Sequence, residues 1–152
     1  MADLRSFDDG RFGLVVQPVS NCFVPDVSPV WAEVQRVLAR GGILLAGFNN
    51  PLRYLFDEDL AAQTGELRVV NALPFSDLEQ LSAEQRRRRL EQGEPLEFGP
   101  TLEQQIGGQL EAGLVLTRFY EDHYPSREAD PISRYTASFI ATRAVKLRGP
   151  VG

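Results

Sequence analysis

Apolar runs, amphipathic stretches and polar stretches follow one another along the chain in an order that predicts an α/β fold. Phe12–Gln17 is an apolar run between turn residues, a pattern typical of a strand buried on both faces. Apolar residues then recur at helical spacing over Val27–Leu38, and Gly41-Gly42 predicts the end of this helix. The apolar run Ile43–Phe48 follows as a second strand. Strand, helix and strand together predict a βαβ unit with parallel strands.

Residues 49–100 change character and predict an insertion. Asn49-Asn50-Pro51 ends the second strand, and Leu67–Val70 has the composition of a short strand. Ser82 and Gln85 predict a capping box for a charged helix that ends before Gly93. Because long excursions from compact domains often carry function, we interpret residues 49–100 as an inserted substrate-side segment.

The remaining third of the chain returns to regular periodicity. Thr101–Gly113 predicts a helix and Leu114–Tyr120 a strand, while His123–Arg134 is a polar loop before a last strand at Ser138–Val145. Gly107-Gly108 costs stability inside a helix, and either close packing against the insertion or a ligand, or a helix break, explains it. No repeat or linker interrupts the pattern, so residues 1–152 are interpreted as one domain.

Composition and charge narrow the functional classes. Hydrophobic residues make up 43% of the chain, an ordinary globular value, and the net charge of −5 argues against a nucleic-acid partner. The longest apolar stretch is too short to span a bilayer, so we expect no membrane association. The single cysteine excludes an internal disulfide framework and suits a reducing compartment. We therefore expect a cytoplasmic protein that acts on a small molecule.

Two stretches carry a family resemblance. Phe7–Val16, followed by Val30–Leu45, resembles the central part of class I S-adenosylmethionine-dependent methyltransferases. The family pattern is an acidic turn with an F-D-x-V strand, a helix ending R-V-L-x-P-G-G, and an apolar strand. Gly13 stands here for the usual Asp, and Arg40 for the usual Pro. Three further segments look like a bacterial, methyltransferase-11-like subgroup: Pro18–Pro25, Leu96–Gly99 and Gln105–Gly113.

The resemblance implies a partial Rossmann-like sheet. The family sheet has the strand order 3-2-1-4-5-7-6 with strand seven antiparallel, and this chain would supply strands 4-5-7-6 with helices on the sheet faces. The glycine-rich turn that holds the cofactor and the acidic residue that binds its ribose have no counterpart in this sequence. We therefore expect a truncated domain, the C-terminal part of a methyltransferase, whose first strand has an open edge. Such an edge predicts self-association as an oligomer, or pairing with a complementing N-terminal chain.

The resemblance also implies a cofactor site and a small-molecule acceptor site. For S-adenosylmethionine, Gln17, Pro18 and Val19 would border the methionine end, and Met1 and Ala2 the adenine. A plain turn capped by Ser20 or Asn21 is the structural alternative. For the acceptor, the expected contacts are Phe48, Asn49 and His123, although Phe48–Pro51 is equally well explained as a β-turn.

Other candidate groups have simpler explanations. Cys22 has no nearby histidine to activate it and is interpreted as a buried apolar residue. His123 is the single histidine, so a histidine-based metal site or catalytic triad is not expected; with Asp122 or Glu121 it could act as a base, but a surface loop residue is the default. Arg86–Arg89 is better explained as a solvated helix face than as a phosphate or nucleic-acid patch, because Arg88 lies four residues after Glu84 and Arg87 four residues before Glu91.

Two functional hypotheses follow. The first is an S-adenosylmethionine-dependent methyltransferase, incomplete and inactive as this chain alone, with its catalytic residues and acceptor unidentified. The alternative is a non-catalytic module that pairs through its exposed strand edge.

Overall fold

A computed structural model describes residues 3–126 and 130–147. The main strands are β1 (Phe12–Gln17), β2 (Leu38–Asn49), β5 (Leu114–Asp122) and β6 (Phe139–Lys146). They form a sheet of order β1-β2-β6-β5, in which β1 and β2 are parallel and β6 is antiparallel to both β2 and β5. This is the order 4-5-7-6 with an antiparallel seventh strand, as the resemblance predicted.

Helix α1 (Ser28–Val37) covers one face of this sheet because its apolar residues lie on one stripe. Pro29 lies in its first turn, and Asp26 Oδ1 accepts the Ser28 N–H at 2.9 Å. The core beneath α1 consists of buried residues from the helix and three strands: Val27, Val30, Trp31, Val34, Leu38, Leu44, Ala46, Leu114 and Ala144.

The end of α1 differs from the sequence-based expectation. The helix stops at Val37, and Leu38 already pairs with Phe12 of β1, so Gly41-Gly42 lies inside β2 rather than after the helix. Lys146 Nζ donates to the carbonyls of Gln35 and Leu38 at 2.7 and 2.8 Å, so a cation from β6 satisfies the helix end. The contact with Lys146, which is distant in sequence, therefore accompanies a helix end that lies before Gly41-Gly42.

The expectation that β1 is buried on both faces is wrong for this chain. Val15 packs against the α1 core, whereas Leu14 and Val16 remain 52% and 61% exposed. Because side chains alternate along a strand, these two lie on the sheet face opposite α1, in register with Ile43 and Leu45 of β2. Within the described residues β1 pairs with β2 alone, so its other edge is open.

Residues between β2 and β5 form a layer of short elements beyond the carboxyl end of β2. These are the 3₁₀ turn Pro51–Leu55, α2 (Glu58–Thr64), β3 (Phe75–Ser76), α3 (Asp77–Gln80), α4 (Ala83–Glu91) and β4 (Phe98–Gly99). The Ser82–Gln85 capping box that starts α4 is present, as predicted. Leu67–Val70 is not a strand: Val69 makes an isolated bridge to Phe56, and the backbone hydrogen bonds to Leu55 and Asp57 on either side of it do not extend into a ladder.

The helix before β5 contains a single π-helical turn, Glu103–Gly107, which continues into α5 (Gly108–Glu111). Gly108 does permit close packing, but against Trp31 of α1 and not against the insertion or a ligand. A Cβ at Gly108 would lie 2.6 Å from Cδ1 of Trp31, so α5 approaches α1 only because this position is glycine. The indole N–H of Trp31 donates to the Gln104 carbonyl at 3.0 Å in the same contact.

Candidate functional site

The carboxyl ends of β1, β2 and β5 lie at one edge of the sheet because these three strands run in the same direction. They end at Gln17, Asn49 and Asp122. Open α/β sheets bind ligands at this edge. Residues 51–99 are arranged beyond the end of β2, and Tyr54 connects them to the sheet because its hydroxyl accepts a 3.0 Å hydrogen bond from Asn49 Nδ2.

The predicted cofactor residues lie at the end of β1. Gln17 is 2% exposed and its amide donates to Asn21 Oδ1, whereas Pro18 and Val19 lie on the surface. Among the described side chains, Gln17 Oε1 is the buried polar atom that has no hydrogen-bond partner. Met1 and Ala2 lie outside the described residues.

A chain of buried polar side chains continues from Gln17 across the sheet face. Asn21 Nδ2 donates to Gln105 Oε1 at 2.7 Å, and the Thr142 hydroxyl donates to Gln109 Oε1 at 2.9 Å. Gln109 Nε2 also donates to the Gln105 carbonyl at 3.0 Å. The alternative explanation is a plain turn capped by Ser20 or Asn21. The Asn21 side chain does not act as such a cap. It fixes the loop after β1 against the helix that carries the π-turn.

The fit of these residues to S-adenosylmethionine is one-sided. Gln17 offers an unpaired oxygen, and Pro18 and Val19 offer an exposed apolar surface beside it. In the described chain, β1 is not followed by a glycine-rich turn. Such a turn would let a sulfonium-bearing cofactor approach the backbone closely. Among the described residues, the end of β1 therefore offers contacts that would fit one side of such a cofactor.

None of the three predicted acceptor contacts lines the large cavity beside the strand ends. Phe48 is 1% exposed and packed in the interior, while Asn49 reaches the cavity wall through its hydrogen bond to Tyr54. His123 is exposed, and its backbone N–H donates to Asp122 Oδ1 at 2.8 Å; the next residue, Tyr124, does line the cavity. The role of these three residues as acceptor contacts stays a prediction.

This cavity, the insertion cavity, has a volume of about 560 Å³ and lies between the insertion and the loop that follows β5. That volume is typical of small-molecule sites. Four aromatic rings contribute to its wall, and two of them, Tyr54 and Phe75, are stacked with their centroids 5.2 Å apart. The stack fits because Gly99 of β4 has no side chain: a Cβ there would lie 2.5 Å from Cδ2 of Tyr54.

One wall of the insertion cavity is held by a buried ion pair. Asp77 is 1% exposed and accepts hydrogen bonds from Arg89 Nη1 at 3.0 Å and from the backbone N–H of Glu97 at 2.8 Å. These contacts join α3, α4 and the segment before β4. Arg86 also turns inward, with Nη1 donating to the Leu81 carbonyl at 3.1 Å, whereas Arg87 makes the predicted solvated pair with Glu91 at 3.6 Å. The interpretation of Arg86–Arg89 as a solvated helix face therefore holds for Arg87 and Arg88, which are exposed, whereas Arg86 and Arg89 are half-buried.

Glu97 is a half-buried carboxylate of the cavity that lacks a partner, whereas Asp59, which also lacks one, is exposed. The described structure gives the Glu97 side chain neither a hydrogen bond nor a salt bridge, although it is half-buried beside Tyr54 and Arg53. Burial, together with the negative charge of Glu58, raises the pKa of Glu97 above its ordinary value. A half-buried, unpaired carboxylate in a cavity is a common feature of ligand sites.

Cys22 and Tyr54 lie close to this carboxylate and are both buried. Burial raises the pKa of the Cys22 thiol, and burial also raises the pKa of the Tyr54 hydroxyl, so neither group ionises near neutral pH. Cys22 is therefore the buried, unreactive residue that the sequence predicted. No group of three described His, Cys, Asp or Glu side chains converges to hold a metal ion.

Sequence reasoning missed most of the cavity wall. Tyr54, Asp77 and Glu97 lie in segments whose pattern is irregular, and Asp77 pairs with Arg89 from another element. One signal was available: Leu96–Gly99 belongs to the segments that resemble the bacterial subgroup. It contains both Glu97 and the glycine that admits Tyr54.

Comparison with known proteins agrees with this architecture. Residues 1–46 match the model of a family described as a methyltransferase domain. Over 147 residues the chain is 44% identical to the uncharacterized methyltransferase YbaJ of Bacillus subtilis, covering 97% of this chain and 56% of that protein. The chain thus spans little more than half the length of this relative.

Solved structures share the fold at low sequence identity. A putative S-adenosylmethionine-dependent methyltransferase from Listeria monocytogenes has a TM-score of 0.63 and 13% identity, over 93% of this chain and 64% of that one. One from Mesorhizobium loti has a TM-score of 0.62 and 15% identity, over 91% and 63% of the two chains. Sequence matches and shared fold together show that this chain is similar to class I S-adenosylmethionine-dependent methyltransferases. Within the described residues no helix is long and apolar enough to cross a membrane.

Proposed function

We propose that the chain supplies the acceptor side of an S-adenosylmethionine-dependent methyltransferase that modifies a small molecule. The observation that carries this proposal is the placement of the insertion cavity beside the strand ends, linked to β2 by the Asn49–Tyr54 hydrogen bond. When bound, the cofactor supplies an activated methyl group on a sulfonium. The protein's task is to hold the acceptor in line with that methyl group and to exclude water.

The residues divide this task between two sides of the site. Gln17, Pro18 and Val19 would contact the cofactor at the end of β1, with Met1 and Ala2 next to its adenine. The insertion cavity would hold the acceptor, with Phe48, Asn49 and His123 around it. The single, buried cysteine suits a reducing cytoplasm, which we propose as the location.

We further propose that another polypeptide segment completes the cofactor platform by pairing with β1. The open edge of this strand, with Leu14 and Val16 exposed on one face, supports this proposal. The segment corresponds to the part of the Bacillus subtilis relative that this chain does not match. A homo-oligomer formed through the same edge is the alternative; it would make the chain a non-catalytic interaction module.

Calorimetric titration with S-adenosylhomocysteine tests the proposal. The chain alone should bind more weakly than millimolar, and a mixture with the unmatched part of the relative should bind at micromolar concentrations. Sub-millimolar binding by the chain alone would contradict the shared platform. A complex that forms but binds no S-adenosylhomocysteine would favour the non-catalytic module.

Two substitutions test whether the exposed face of β1 takes part in this assembly. Val16→Lys puts a charge on the face of β1 that the incoming segment would cover, so it should prevent both assembly and binding. Leu90→Lys is the matched control, since Leu90 of α4 is 57% exposed against 61% for Val16 and lies away from β1. If the two substitutions reduced assembly and binding equally, the proposal that the incoming segment pairs with β1 would be contradicted.

A further inference from the structure

The walls of the insertion cavity combine aromatic rings with an excess of negative charge. Tyr54, Phe56, Phe75 and Tyr124 provide the rings. Six described carboxylates line the cavity against two guanidinium groups, those of Arg53 and Arg89. The carboxylates are Asp57, Glu58, Asp59, Asp77, Glu97 and Asp130.

Most of these carboxylates already have structural partners. Asp77 is paired with Arg89, and Glu58 lies 3.3 Å from Arg53 Nη2. Asp57 accepts the Leu60 N–H at the start of α2, and Asp130 accepts the Ser133 hydroxyl at 2.8 Å. Glu97 differs because it is half-buried and makes no such contact in the described structure.

Both guanidinium groups are likewise engaged. Arg89 is held by the buried Asp77, and Arg53 packs 5.9 Å from the centroid of the Tyr54 ring while it pairs with Glu58. Neither is free to receive an anionic ligand without giving up a carboxylate. The unsatisfied charge of the cavity is therefore negative.

We propose that the insertion cavity binds a small organic cation, an amine attached to an apolar body, and that the Glu97 carboxylate receives its ammonium group. This inference rests on the proposed function and names the class of methyl acceptor. An ammonium group near Glu97 would supply the counter-charge that this carboxylate lacks, and the aromatic walls would cover the apolar body. An anionic acceptor of the same size would meet repulsion from the unpaired carboxylates.

Three probes of nearly equal size and different charge test the proposal on the 152-residue chain. They are phenethylamine, phenethyl alcohol and hydrocinnamate, titrated at neutral pH with detection by ligand-observed NMR. The amine should bind about tenfold more tightly than the alcohol, as a charge-assisted contact predicts, and hydrocinnamate should bind most weakly. Equal or tighter binding of hydrocinnamate than of the amine would overturn the proposal, and this comparison needs no variant.

A matched pair of substitutions locates the contact. Glu97→Gln should lower the affinity for phenethylamine to that for phenethyl alcohol, and leave the affinity for the alcohol unchanged. Glu84→Gln removes the same charge from the outer surface of α4 and should change neither. Unchanged amine binding by Glu97→Gln, with the alcohol still bound, would contradict the assignment of this residue.

These titrations need no cofactor, so their failure is distinct from a failure of the proposed function. The completed protein could prefer the amine and yet fail to bind S-adenosylhomocysteine. That result would support the cation site and contradict methyl transfer. Binding of S-adenosylhomocysteine without amine preference would contradict the acceptor class alone.

Discussion

Gly108 has no space for a side chain because the indole of Trp31 lies against it. A Cβ at this position would come within 2.6 Å of Cδ1 and 3.0 Å of Nε1. Gly108→Ala should therefore force α5 away from α1 and lower the free energy of unfolding by about 2 kcal/mol, measured by urea denaturation.

The neighbouring glycine is the control. A Cβ at Gly107 would meet only Glu103 Cγ at 3.7 Å, an ordinary contact, and the residue has helical backbone angles. Gly107→Ala should therefore stabilise the protein by up to about 1 kcal/mol through helix propensity. Changes of the same sign in both variants would be inconsistent with the Trp31 contact.

The unpaired charge of Glu97 should cost stability at neutral pH. Its pKa in the folded protein is raised above the ordinary value of 4.5, mainly by burial. Stability should therefore decrease as pH rises from 4.5 through the folded pKa, where the buried carboxyl must ionise. Glu97→Gln removes this penalty, so it should raise the free energy of unfolding at pH 7 and have little effect at pH 4.

Urea denaturation of both proteins at the two pH values measures this difference, with Glu84→Gln as the exposed control. A loss of stability in Glu97→Gln at pH 7 would mean that the carboxylate has a stabilising partner in the folded protein. A residue that destabilises the fold and lies in a cavity is what a binding site requires.

Arg89, one of the four consecutive arginines of α4, attaches this helix to the buried Asp77 of the cavity wall. Arg89 reaches the buried Asp77 at 3.0 Å, whereas Arg87 pairs with Glu91 at 3.6 Å on the surface. Arg89→Gln leaves a buried carboxylate without its cation and should cost about 2–3 kcal/mol. Arg87→Gln should cost less than about 0.5 kcal/mol.

Thermal unfolding of the two variants, whose substituted residues lie two positions apart in the same helix, checks this expectation. Equal small losses would show that Asp77 finds compensation elsewhere, and the α4 wall of the cavity would then not depend on the ion pair.

The sequence predicts those elements that are stabilised by interactions between residues close together in the chain. The capping box of α4 is predictable because Ser82 and Gln85 satisfy each other within one turn. Leu67–Val70 has the composition of a strand but lacks a partner strand, which composition does not report. Likewise Gly41-Gly42 predicts a helix end at these glycines. The helix in fact ends earlier, at Val37, where Lys146 donates to the carbonyl of Leu38.

The candidate site was harder to predict than the sheet. The strand ends at Gln17 and Asn49 follow from the parallel βαβ unit. The cavity does not follow from it, because its wall joins Tyr54, Asp77 and Glu97 through contacts between short irregular elements. Each contact depends on a tertiary approach, such as the one that Gly99 permits, and leaves no periodic pattern.

At the scale of the whole molecule, the order and direction of the four main strands were predictable from the resemblance. Strand β1 lies at an edge of the described sheet, with Leu14 and Val16 exposed. We propose that β1 gains a second neighbouring strand when the cofactor platform is completed.

Amide hydrogen exchange of Leu14–Val16 tests this claim most directly. The monomeric chain should protect only the amides that face β2, and those on the open edge should exchange rapidly. Addition of the unmatched part of the Bacillus subtilis relative should slow these edge amides by at least about a hundredfold, as for an interior strand. Full protection of all three amides in the monomer, or rapid exchange that persists in the assembled complex, would contradict it.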